Sequence, residues 1–182
     1  MKITSLNIPD ILIIEPKLYE DDRGVFFECF NLESFREVVK LNVNFVQENQ
    51  SISHKAVLRG LHYQLPPCAQ GKLVRVIQGE VFDVAVDMRR SSPTFGQHVS
   101  LILSAENKKQ MWIPEGFAHG FLTLSQTSEF LYKTTAAYSA KNEECIIWND
   151  DFLKILWPLN LPIKISPKDA RGKRFLEARS FD

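Results

Sequence analysis

Apolar positions recur along this chain mostly at a period of two and in short runs, the mark of strands rather than of long helices. Segments 72–77 and 81–87 are dense in Val and Ile, and the Gln78-Gly79 step between them predicts a tight turn, so the pair is expected to form a hairpin. Further strand-like runs cover 45–51, 58–64, 99–103, 121–124, 130–135 and 144–148, separated by clusters of Pro, Gly, Asn or Ser. Helical signals are few. Asn31 is placed to cap a helix over 32–39, and Ser166 with Pro167 can open a last helix or turn. Many short strands with peripheral helix point to an all-β sandwich or barrel, and among these to a double-stranded β-helix or jelly roll, which manages its edges by folding two sheets together. No repeat, linker or low-complexity stretch interrupts the pattern, so residues 1–182 are read as one domain.

Composition then narrows the function. Twenty-two basic and 22 acidic residues cancel, so no global field favours nucleic acid or an anionic membrane, and a polyanion must be met by a local cluster. The apolar run at 11–14 is too short for a signal-peptide core or a membrane span, and a cytoplasmic location is expected. Three cysteines, Cys29, Cys68 and Cys145, lie far apart without a Cys-x-x-Cys spacing, which argues against a disulfide framework or a zinc knot. His54, His62, His98 and His119 are isolated from one another, whereas a metal-binding barrel would want His-x-His, so no metal is expected. No glycine-rich phosphate loop follows a strand and opens a helix, which disfavours a nicotinamide or nucleoside-triphosphate site. The chemistry has to come from side chains.

Several clusters offer it. Asp22-Arg23-Gly24-Val25-Phe26-Phe27-Glu28 sets charges among aromatics; Arg23 can grip a phosphate pair, or merely make a surface ion pair in a turn. Alternation puts Gln47 and Asn49 on one strand face, suited to sugar hydroxyls or to solvent. In Leu58-Arg59-Gly60-Leu61-His62, His62 is the natural general base, since its ordinary pKa of about 6.5 lets it take and return a proton near neutrality. Strict alternation places Arg59 and His62 on opposite faces, so a shared site requires a bulge at Gly60. Lys72 directed into a barrel needs an anion, or else its head reaches water at the strand edge; Arg75 follows it in the same strand. His119, after the Pro114-Glu115-Gly116 turn, reads as lining a pocket mouth or as a satisfied core residue. Tyr132 is a general acid or strand filler. Tyr138 can stack on a base, Glu143 hold a hydroxyl and Lys168 contact a phosphate, though each also suits a loop. Asp169 either orients His62 or favours the dipole of a helix start.

Taken together, from about Asp21 to Asp169, these residues resemble the dTDP-4-dehydrorhamnose 3,5-epimerase family. The resemblance rests on Asp22-Arg23-Gly24 with Phe26 and Glu28, Gln47-Glu48-Asn49, Leu58-Arg59-Gly60-Leu61-His62, Lys72-Leu73-Val74-Arg75-Val76, Gly79-Glu80-Val81-Phe82-Asp83-Val84, Ser92-Pro93-Thr94-Phe95-Gly96, Gly116-Phe117-Ala118-His119-Gly120-Phe121, Tyr132-Lys133 and Trp148-Asn149-Asp150. It implies a cupin jelly roll, a homodimer, no metal or organic cofactor, and dTDP-4-keto-6-deoxyglucose as the substrate. Carried over by position, it makes His62 the base with Asp169 as partner, Tyr132 the acid on the opposite face and Lys72 the group that steadies the enolate. Arg23, Phe26, Glu28, Gln47, Asn49, Arg59, His119, Glu143 and Lys168 then fall at substrate contacts, and Tyr138 at the position that stacks on thymine. Ala136-Ala137 before Tyr138 and the stretch around Glu143 depart from the family pattern. Competing readings are an epimerase acting at carbon 3 or carbon 5 alone, a non-catalytic sugar-nucleotide-binding cupin, and a metal-dependent cupin oxygenase.

Overall fold

The structure is a computed structural model, and it describes residues 2–158 and 161–182. In chain order its strands are β1 (Lys2–Ser5), β2 (Leu12–Glu15), β3 (Tyr19–Asp21), β4 (Gly24–Phe26), β5 (Gln47–His54), β6 (Leu58–Gln64), β7 (Lys72–Gln78), β8 (Glu80–Asp87), β9 (His98–Ser104), β10 (Gln110–Ile113), β11 (Phe117–Thr123), β12 (Thr127–Thr134) and β13 (Glu143–Cys145). Helix α1 (Leu32–Val39) begins where expected, with the Asn31 side chain accepting from the Ser34 N–H at 3.1 Å. Among the described residues it is accompanied only by 3₁₀ turns at Asp169–Arg171 and Phe175–Glu177.

Two antiparallel sheets face each other as a jelly roll. One runs β1-β2-β10-β7-β12-β5 and the other β13-β6-β11-β8-β9, while among the described residues β3 and β4 pair only with each other. This corrects one expectation: β7 and β8 do not form a hairpin, because they belong to different sheets. Gly79, at φ +77°, carries the chain across, and a Cβ there would meet the Thr127 carbonyl oxygen at 2.2 Å.

The period-two pattern explains the layers. Val74, Val76, Phe130, Val81, Ala85 and Phe121 from both sheets share a buried inner core. Leu73, Trp112 and Ile14 point the other way and meet Phe35 of α1, whose ring lies 5.1 Å from that of Trp112. The second sheet is buried on its outer face too, where Leu61, Tyr63, Val84 and Val86 are covered by Leu153, Phe175 and Ala178 of the C-terminal segment. That segment is fastened by Asp150, whose carboxylate accepts from the N–H groups of Phe152, Leu153 and Phe175.

Candidate functional site

At one end of the sandwich the inner core gives way to a cavity of about 780 Å³ between the sheets. The first sheet's wall carries Gln47, Asn49 and Ser51 of β5, Lys72 of β7 and Tyr132 of β12. Register aligns these side chains: Tyr132 lies between Asn49 and Val74, and Thr134 between Gln47 and Lys72. Residues directly opposite one another across a sheet share a face, so alternation along three neighbouring strands builds this wall. The two amides point together as expected, Gln47 Nε2 donating to Asn49 Oδ1 at 2.8 Å.

The opposite wall comes from β6, β11 and β13, with Arg59, His62, His119 and Glu143. His62 and His119 are cross-strand partners, yet Phe121 pairs with Arg59, so β6 has one residue more than β11 between these pairs. That is the bulge required at Gly60, and it turns Arg59 and His62 into the same cavity. Gly60 has φ +117°, and a Cβ on it would sit 2.6 Å from Gly120 Cα and 2.7 Å from the His119 carbonyl oxygen. Only glycine permits both the backbone angle and this approach.

Asp169 reaches His62 from a turn held at two points. Leu58 N–H donates to the Lys164 carbonyl at 2.9 Å, and Lys173 N–H donates to the Cys145 carbonyl at 2.8 Å, which lays the intervening residues beside β6 and β13. The Asp169 backbone N–H donates to Ser166 Oγ, while the carboxylate meets His62 Nε2 at 2.8 Å and accepts the Gly60 N–H at 3.3 Å. Asp169 is buried, and burial alone would raise its pKa, but the bonds and charge of His62 and the Gly60 N–H together hold it below the usual carboxylate range. An ionised carboxylate only accepts, so His62 points the proton on Nε2 at Asp169, and it is on Nδ1 that the neutral form of the ring has its lone pair.

Lys72 is buried and spans the gap between the sheets, its Nζ donating to the His62 carbonyl at 3.0 Å. Burial pushes its pKa down to about 8, against the pull of Glu143 and Asp83. Tyr132 faces from the other sheet, and burial raises its phenol, which stays protonated at neutrality as a proton donor must. His119 lies deep within β11 rather than at a pocket mouth, Nε2 bonded to both oxygens of Asp83 at 2.9 and 3.1 Å. At the entrance Tyr138 is more than half exposed, its hydroxyl donating to Glu143 Oε2 at 2.7 Å, and Lys168 pairs with the same oxygen. Tyr138 N–H also donates to Gln47 Oε1, which ties the entrance loop to β5.

Three expected contacts are not brought to this cavity. Arg23, Phe26 and Glu28 lie on and after the β3–β4 hairpin, outside the lining; Arg23 pairs with Asp21 in its own turn, and Phe26 is 73 % exposed. Conversely, two positioning residues were missed. Asp83 holds His119, and its signal in the sequence is a carboxylate within the apolar run Val81-Phe82-Asp83-Val84. Gln64 accepts from the Ser139 N–H at 2.7 Å and donates to the Ala137 carbonyl at 3.2 Å, fixing the loop that bears Tyr138, and nothing local announced it.

The family description dTDP-4-dehydrorhamnose 3,5-epimerase matches residues 5–177. A curated dTDP-4-dehydrorhamnose 3,5-epimerase from Pseudomonas aeruginosa is 58% identical over 181 residues, covering 100% of this chain and 99% of the relative. Among solved structures, a dTDP-6-deoxy-D-glucose-3,5-epimerase from Legionella pneumophila in complex with dTDP-4-keto-L-rhamnose superposes with a TM-score of 0.95 at 50% identity, covering 98% of this chain and 94% of that one. A 3'-monoepimerase from Streptomyces bikiniensis in complex with dTDP-quinovose gives a TM-score of 0.89 at 31% identity, covering 94% and 87%.

Proposed function

The chain belongs to the dTDP-4-dehydrorhamnose 3,5-epimerase family, and from that premise we propose the following account of its reaction and of the residues that perform it. It is an isomerase that inverts carbons 3 and 5 of dTDP-4-keto-6-deoxyglucose to give dTDP-4-keto-rhamnose, a step in dTDP-rhamnose synthesis. The observation that carries the assignment of roles is the position of the His62–Asp169 pair on one sheet and Tyr132 on the facing one, with the buried Lys72 ammonium between the walls.

A hydrogen beside a ketone is acidic because the charge left behind spreads onto the oxygen. His62 Nδ1 takes that hydrogen from carbon, and the electron pair moves onto oxygen 4. Lys72 meets the charge there; a preorganised donor of this kind is worth roughly 3–4 kcal/mol. Tyr132 then returns a proton to the same carbon from the other side, inverting it. Solvent removes the proton from His62 and restores the one on Tyr132 before the second inversion. Because oxygen 4 flanks carbons 3 and 5, the same groups serve twice once the sugar turns. Arg59 and His119 hold the sugar, Gln47, Asn49, Glu143 and Lys168 meet the nucleotide end, and Tyr138 stacks on thymine.

The protein acts as a homodimer in the cytosol. Support for the dimer lies in the β3–β4 hairpin, which among the described residues pairs with no other strand and exposes Tyr19, Val25 and Phe26. In the dimer it reaches the partner's cavity and supplies Arg23, Phe26 and Glu28 there. Among the described residues no helix is long and apolar enough to cross a membrane, in keeping with a cytosolic pathway.

Incubating the substrate with enzyme in heavy water tests the function: wild type should place deuterium at both carbons, and His62→Ala at neither. Near-normal uptake by that variant would overturn the base assignment. Deuterium at one carbon only would select a mono-epimerase, the activity named for the S. bikiniensis relative. Mixed dimers of His62→Ala and Arg23→Ala subunits test the hairpin, since one of their two sites has both residues intact. No recovery of activity in such dimers would refute the exchange.

A further inference from the structure

Behind the proposed base lies a thiol that epimerisation does not use. Cys145 of β13 is the direct cross-strand partner of His62, on the side away from His119, so its side chain shares the face of the imidazole. Asp169 approaches the same ring from the C-terminal turn. One donor atom from each of His62, Cys145 and Asp169 lies within 4.8 Å of the others. An imidazole nitrogen, a sulfur and a carboxylate oxygen form a mixed set that suits zinc, and three protein ligands with a fourth position open to solvent is a common zinc arrangement. Both His62 and Asp169 line the cavity, which provides the entry path and the open position.

We propose that His62, Cys145 and Asp169 form a zinc site whose occupation switches the epimerase off. Bond lengths of about 2.0 Å to nitrogen and oxygen and about 2.3 Å to sulfur place tetrahedral donors roughly 3.3–3.6 Å apart. The three atoms therefore have to close by on the order of 1 Å, within reach of a turn of the thiol about its Cα–Cβ bond. His62 Nε2 and Asp169 Oδ1 open slightly from 2.8 Å to admit the ion. Of the nearby carboxylates, Glu143 is paired with Lys168 and Glu144 with Lys173 and Arg179, so Asp169 is the one that brings its charge to the ion.

Blocking follows from the proton inventory. Zinc on Nε2 drives the ring proton to Nδ1, which fills the lone pair that would have taken hydrogen from the sugar. The thiol proton leaves to solvent as sulfur becomes a thiolate ligand. This half of the inference rests on the reading of His62 as the base; the binding half does not.

Titration of the metal-free protein with zinc sulfate, followed by calorimetry in two buffers of different ionisation heat, gives stoichiometry and proton release. One zinc per chain with about one proton released near neutrality is expected. Deuterium uptake into the keto sugar should fall in step with occupancy and return on adding a chelator. Cys145→Ala should keep zinc-free uptake within about twofold yet need at least about tenfold more zinc for half-inhibition, having lost one ligand of three. Cys145→Ser should behave alike, and zinc should protect the wild-type thiol from alkylation. Equal zinc sensitivity in wild type and both variants, or no stoichiometric binding, overturns the site. Stoichiometric binding with undiminished uptake overturns the block and, separately, the assignment of His62 as base.

Discussion

Replacing Asp169 by Asn changes one atom type and almost no volume, and its effect follows from what the two carboxylate oxygens accept. One receives the proton on His62 Nε2 at 2.8 Å, and the other the Gly60 backbone N–H at 3.3 Å. An amide has a single oxygen to offer. If it faces His62, the amide NH₂ is set against the Gly60 N–H, and a buried donor without an acceptor costs about 1–3 kcal/mol. If it faces Gly60, the NH₂ donates to Nε2, and the ring proton has to move to Nδ1, where the catalytic lone pair had been. The second arrangement wins by that margin, leaving a productive tautomer in roughly one molecule in 5 to one in 150. The charge that steadies the imidazolium is lost as well; a unit charge at 4 Å in an effective dielectric near 20 amounts to about 4 kcal/mol, and part of this remains in a site open to water. Deuterium uptake at carbons 3 and 5 should therefore fall roughly 10²–10⁴-fold in Asp169→Asn, with dTDP affinity unchanged because the nucleotide end is untouched. Nitrogen NMR of the His62 ring should show the proton on Nδ1. A loss of less than tenfold, or a wild-type tautomer beside a full loss, would refute the reasoning.

Four further outcomes are expected. Tyr132→Phe should retain proton abstraction, seen as washout of deuterium from substrate labelled at carbon 3 or 5, while net epimerisation drops about 10²–10⁴-fold; equal loss of both would contradict the division of labour. Since burial brings the Lys72 pKa down to about 8, activity should decline above pH 8 as the ammonium is lost, and Lys72→Arg should remove that limb at some cost in rate. Folding disfavours this cation, so between about 8 and 10.5 the unfolded chain binds more protons and Lys72 makes stability rise with pH; a denaturant midpoint that is lower at pH 10 in wild type relative to Lys72→Met than at pH 7 would contradict the sign. Gly60→Ala pushes a methyl group against Gly120 and forces a non-glycine residue to φ +117°; overpacking and backbone strain together should cost about 2–5 kcal/mol, read from urea unfolding.

What could be read in the chain beforehand was what depends on neighbours in sequence. Strands β5 to β9 and β11 to β13 announce themselves by alternation or by Val and Ile content, and α1 by its Asn cap. Strands β1, β3 and β4 did not, because the exposed Lys2-Ile3-Thr4-Ser5, Tyr19-Glu20-Asp21 and Gly24-Val25-Phe26 bury no face and so carry no pattern. Strand β10 was hidden for the opposite reason, since all four of its residues are buried and the polar Gln110 spends its amide on the Cys29 carbonyl. The Gln78-Gly79 turn looked like a hairpin because a tight turn within one sheet and a crossing between two use the same residues; only the partners of β7 and β8 tell them apart.

The same division runs through the candidate site and explains why its geometry needed coordinates. Gln47 and Asn49 could be put together by alternation, and the conflict between Arg59 and His62 pointed to a bulge at Gly60, because both arguments stay within one strand. Lys72 and His62 belong to different sheets, and His62 and Asp169 are 107 positions apart. For Asp169 the choice between helix-start residue and imidazole partner proves to be no choice: its backbone N–H takes up Ser166 and its carboxylate takes up His62. Two facing sheets are also what an inversion requires, since proton removal and return must happen on opposite sides of a flat enolate. A single sheet can present base and acid side by side but cannot put a sugar ring between them. The jelly roll does so by construction, which makes the crossing at Gly79, rather than any one strand, the feature that sends Lys72 and the Asp83–His119 pair to opposite walls of one cavity.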